Sequence, residues 1–102
     1  MNISNIRFFL GIFFVFSSVA SYAYQANCST NDGRNFNISV ENKVLTVDNK
    51  YRHYYQGKTW TGWYKYANSK YIYKTGSFND GEFPIEVVNS RGQTSSGQCY
   101  FR

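Results

Sequence analysis

One histidine limits the acid–base chemistry this chain can do. His53 is the only imidazole in 102 residues, set in the run Tyr51-Arg52-His53-Tyr54-Tyr55. Imidazole is the side chain that ordinarily titrates near neutrality, so a general acid or base would have to be His53. Two-step phosphodiester cleavage needs a second titrating partner. Glu82 and Glu86 are available carboxylates, but no spacing ties either to His53. Nucleophilic catalysis needs a Ser or Cys beside a base and an orienting group. The serines fall in turn-like stretches, and the two cysteines, Cys28 and Cys99, are expected to be joined to each other. A metal site would have His53 as its one further soft ligand, and no phosphate-binding loop is present. The expectation is a structural or surface histidine, no enzyme and no cofactor.

A second arrangement suits binding. Between Asp48 and Asp80 there is no acidic residue, but there are six basic ones and ten aromatic ones. Rings that stack on bases and cations that meet phosphates are what single-stranded nucleic acid requires. Rings in a small sheet also simply fill a core, and lysines keep strand edges from pairing. The residues singled out for RNA or partner binding are Lys50, Tyr51, Arg52, His53, Tyr64, Tyr66, Tyr71 and Tyr73.

The elements that must position these side chains belong to a short, exported chain. Arg7 precedes an apolar run, Phe8–Phe16, and Ser21-Tyr22-Ala23 offers the small-x-small pattern that signal peptidase cuts after, with Ser18-Val19-Ala20 as a second option. The run is too short to span a bilayer of about 30 Å. Residues 1–23 therefore read as a signal peptide, and residues 24–102 as a single secreted domain. Losing Arg7 lowers the net charge from +5 to +4. A chain of this size in an oxidising compartment often needs a staple. A Cys28–Cys99 disulfide would constrain the unfolded chain by roughly 4 kcal/mol. Asn27 and Asn37 each begin an N-x-S sequon.

The stretch Asn35–Tyr51 supports two patterns. Phe36, Val40, Val44, Val47 and Tyr51 recur at helical spacing with Ser39 as an N-cap, which predicts a short helix over Ser39–Asp48. Phe36-Asn37-Ile38-Ser39-Val40 also alternates, as a strand does. Farther on, a two-residue turn at Asn68-Ser69 would set Tyr66 opposite Tyr71 and Tyr64 opposite Tyr73, all four on one face. Asp80-Gly81 is a hairpin signal, Pro84 puts its strand at an edge or makes it start late, and Ser90-Arg91-Gly92 is a turn before a last strand at Gln98–Phe101. The expected fold class is α+β, a small antiparallel sheet with one short N-terminal helix, with an all-β barrel as the alternative.

Tyr51-Arg52-His53-Tyr54-Tyr55-Gln56-Gly57 resembles the Tyr-Pro-His-x-Tyr segment of the small guanyl-specific fungal ribonucleases. Phe78–Phe83 with Val87-Val88 is similar to that family's penultimate hairpin, and Gly97-Gln98-Cys99 to its last strand. The secreted ribonuclease-like effectors of powdery-mildew fungi share this outline. The resemblance carries catalytic roles over only to Tyr51 and His53. The second histidine would fall near Asn89 or Ser90, and the arginine and glutamate have no match. It implies a catalytically inactive virulence or avirulence protein that is monomeric and free of the membrane. Its partner would be a host protein or RNA, a plant immune receptor would be a candidate detector of it, and it would act after secretion or inside host cells.

A second resemblance leads elsewhere. Cys28…Gly33…Phe36…Val44-Leu45-Thr46-Val47, then Thr61-Gly62 and a tyrosine hairpin ending in Lys74 and Gly76, is similar to the periplasmic inhibitors of animal-type lysozyme. Those are small β-barrels with an end-to-end disulfide, and this resemblance makes Asn35–Val47 a pair of strands.

Overall fold

The structure, a computed structural model, describes residues 23–102, so the signal segment expected at residues 1–23 lies, apart from Ala23, outside the described residues. They form eight strands: β1 Tyr24–Thr30, β2 Asn35–Glu41, β3 Val44–Val47, β4 Tyr51–Lys58, β5 Tyr64–Ala67, β6 Ile72–Thr75, β7 Glu82–Val88 and β8 Thr94–Phe101. Each pairs antiparallel with the next, and β8 returns to β1 to close a barrel. There is no helix among the described residues. The α+β expectation is thereby corrected, and the all-β barrel alternative is the fold that forms.

The helix expected over Ser39–Asp48 is instead the end of β2, a tight turn and β3. A spacing of four satisfies period two as well as period 3.6, so Phe36 and Val40 fit either pattern. Ile38 decides between them, because it is buried in line with Phe36 and Val40 while Asn37 is exposed. Asn42 and Lys43 then take φ values of 53° and 65°, and Asp48 and Asn49 take 52° and 57°. Paired left-handed residues make two-residue turns of the hairpin-favouring type, and they cannot continue a right-handed helix. Ser39, expected as a cap, pairs with Thr46 in the β2–β3 ladder.

Eight strands leave an interior just wide enough for side chains to fill. Ala26, Ile38, Leu45, Phe83, Ile85 and Val87 occupy it, each at most 2 % exposed. The closing seam is drawn tight at Cys28 and Cys99, which face each other in the β1–β8 ladder with Cα atoms 4.0 Å apart and form the expected disulfide. Closure also removes the sheet edge expected for Pro84. It pairs with Gln98 on β8, while its carbonyl accepts from Gly76 N–H at 2.9 Å, one residue past the last β6–β7 pair, Thr75 with Ile85. The donor that proline lacks thus points beyond the end of that ladder.

Candidate functional site

The tyrosine hairpin forms, but in another register. Tyr66 faces Tyr73, and Tyr64 faces Thr75. The turn has four residues, not two: Asn68 N–H donates to the Tyr71 carbonyl at 3.0 Å, and Asn68 Oδ1 accepts from the N–H groups of Lys70 and Tyr71 at 2.8 and 2.9 Å. An asparagine side chain bonding two residues ahead holds the wider loop. The four tyrosines do share a face, as expected, but that face lines the barrel. Tyr66 and Tyr73 are buried there, and no open stacking platform for bases results. Lys65 and Lys74 pair on the outer wall, where Lys74 Nζ meets Glu86 at 3.2 Å.

The candidate residues divide between the two ends of the barrel. At one mouth, Tyr64 and Tyr66 join Tyr55, Lys43, Lys58 and Phe78 around a cleft of about 550 Å³. The Lys43 and Lys58 ammonium groups lie 5.9 and 5.2 Å from the Tyr55 and Tyr64 ring centroids, within cation–π range. No carboxylate lines this cleft. Burial, with Tyr55 and Tyr64 beside it, pushes the Tyr66 hydroxyl up to about 12, so it stays a neutral donor. Below, Tyr24, Phe78, Phe83 and Phe101 form an edge-to-face plug, with Phe78 and Phe101 centroids 4.8 Å apart.

The β4–β5 loop reaches this mouth at Gly62 and carries the most exposed large apolar side chain described, Trp60, at 97 %. Its backbone is closed at three points. Thr59 N–H donates to the Trp63 carbonyl at 2.7 Å, Gly62 N–H to the Thr59 carbonyl at 2.9 Å, and Trp63 N–H to Thr59 Oγ1 at 3.0 Å. Gly62 takes φ +94°, which only glycine adopts without strain. Trp63 turns back onto the wall, where its ring and Pro84 close around Gly76. The loop therefore presents one indole on a braced base. Sequence reading missed Trp60 and Lys43. The alternation Thr59-Trp60-Thr61-Gly62 was the available signal for the first, and the helix expectation concealed the second.

At the opposite mouth, Tyr51, His53, Tyr71 and Tyr73 gather with Arg34 and Lys70 around a cleft of about 530 Å³. His53 is 1 % exposed, with its ring centroid 4.5 Å from that of Tyr73. Its Nδ1–H donates to the Leu45 carbonyl at 3.2 Å, and Nε2 has no hydrogen-bond partner. Burial holds this imidazole below the ordinary histidine range, partly opposed by the carbonyls of Leu45 and Tyr51. Lys50 and Arg52 lie exposed. Asn27 and Asn37, the two sequon residues, face each other across β1 and β2 and are also exposed. Among the described residues no group of three or more His, Cys, Asp or Glu is placed to hold a metal ion. No protein-family model, curated protein or solved structure matches the chain.

Proposed function

We propose that the chain is a secreted binding module that inhibits an animal-type lysozyme by seating the Trp60 rim in the enzyme's saccharide cleft. The observation that carries this reading is Trp60, 97 % exposed on a braced loop beside a cationic cleft without carboxylates. A lone exposed tryptophan is the kind of side chain that dominates binding when a partner's pocket encloses it. A glycosidase cleft is long, shaped for sugar rings, and flanked by two catalytic carboxylates. An indole can lie where a sugar would, and Lys58 and Lys43 would then approach those carboxylates.

Charge at first argues against this pairing, because the chain carries a formal +5 and animal-type lysozyme is itself basic. Interfaces respond to local potential more than to net charge. Here the basic rim would meet the acidic floor of the cleft, while the remaining surfaces stay apart. The barrel and its end-to-end disulfide also agree with the lysozyme-inhibitor resemblance. The effector reading loses its helix and its stacking platform and keeps only the exported, stapled chain.

The test is lysis of bacterial cell walls by an animal-type lysozyme in the presence of the disulfide-intact chain of residues 24–102. Inhibition should be stoichiometric for the native chain and weakened about thirtyfold by Trp60→Ala, the equivalent of about 2 kcal/mol. Undiminished lysis with an excess of the native chain would end this reading.

A further inference from the structure

The mouth opposite Trp60 holds an unexplained polar atom. His53 Nε2 is buried and unpaired, although the ring's other nitrogen is fixed by the Leu45 carbonyl. A carbonyl only accepts, so the proton sits on Nδ1 and Nε2 presents a lone pair. A buried polar atom left without a partner is destabilising. Such a cost is tolerated where something else completes the bond.

The lining states what that partner would be. The site is about 530 Å³, the size of a small organic molecule, and the rings of Phe36, Tyr71 and Tyr73 bound it. At its rim, the Arg34 guanidinium lies 5.8 and 6.0 Å from the Phe36 and Tyr71 centroids, anchored by Asp32 at 3.3 Å. Lys70 also lines the site, and its ammonium has no ion-pair partner among the described residues. The one lining carboxylate, Asp48, spends Oδ1 on the Asn37 N–H at 2.9 Å. An acceptor at the base, aromatic walls and cations at the rim define a ligand with three matching parts.

We propose that this mouth binds a small planar organic acid bearing a hydroxyl or N–H donor. The donor would bond to His53 Nε2, the planar body would lie among the tyrosines, and the acid would face Lys70 and Arg34. This site does not depend on the lysozyme reading, since Trp60 lies at the other end of the barrel.

The experiment is a titration of the disulfide-intact chain with 4-hydroxybenzoate, followed by heat and by the ¹⁵N resonance of His53 Nε2. Benzoate, which lacks the donor, and phenol, which lacks the acid, are run beside it. The proposal expects saturable binding with a shift at Nε2, and about tenfold weaker binding for each truncated probe. Lys70→Gln, an exposed change that leaves the barrel intact, should weaken 4-hydroxybenzoate severalfold but phenol little. Trp60→Ala should change neither. No Nε2 shift at millimolar 4-hydroxybenzoate, equal affinity for benzoate, or indifference to Lys70→Gln would each overturn it.

Discussion

His53 and Leu45 face each other across the β3–β4 ladder, and the imidazole donates from Nδ1 to the Leu45 carbonyl over 3.2 Å. That bond fixes the ring's orientation inside the barrel, while burial favours its neutral form. It also makes the only histidine of the chain a component of the wall. The ring packs edge-on against Tyr73.

The same burial predicts a pH dependence. The native pKa of His53 lies below its ordinary value of 6.5, so the unfolded chain binds more protons as pH falls below that value. Stability from this group is therefore complete above about pH 6.5. It declines as pH falls towards the native pKa, by at most about 1.4 kcal/mol per unit, and then levels off. Urea unfolding of the native chain and of His53→Leu, compared between neutral and mildly acidic pH, should show the flatter profile in the variant. Equal slopes would place the titration elsewhere.

Barrel closure depends on a missing side chain. A Cβ at Gly97 would fall 1.9 Å from the Ser29 carbonyl oxygen, in the β1–β8 seam that also holds the disulfide. Backbone cannot yield as a side-chain tip can. Gly97→Ala should cost on the order of 2–3 kcal/mol of stability, read as a lower urea midpoint. An unchanged midpoint would mean that the seam is looser than this geometry.

Trp60 should separate binding from folding. Its side chain is almost wholly in water, and the loop bonds beneath it come from Thr59, Gly62 and Trp63. Trp60→Ala should thus leave unfolding within about 0.5 kcal/mol of the native chain. A larger loss would show that the indole packs on the barrel and is not presented to a partner.

What could be read from the residues follows from how local each signal is. The Cys28–Cys99 pair and the turn at Asp80-Gly81, with φ of 55° and 84°, were legible because so few alternatives exist. The strand at Phe36–Val40 was half legible, since period two and period 3.6 agree at every fourth residue. Asn42-Lys43 carried no glycine to announce a hairpin, and its positive φ values are imposed by the ladder on either side. Tyrosine pairing failed by two residues because Asn68 caps a four-residue turn with its side chain. The shared face of Tyr64, Tyr66, Tyr71 and Tyr73 survived that slip, because an even shift preserves the face. Whether that face was lumen or surface depended on closure between β1 and β8, a pairing of the two chain ends that no local pattern encodes.

The most direct measure of the account is a calorimetric titration of an animal-type lysozyme with the stapled barrel, its cleft first empty and then filled with a chitooligosaccharide. A rim seated in the cleft predicts tight one-to-one binding to the empty enzyme and an apparent affinity that falls in proportion to saccharide occupancy. Binding unaffected by the saccharide, or no binding to the empty enzyme, would contradict it.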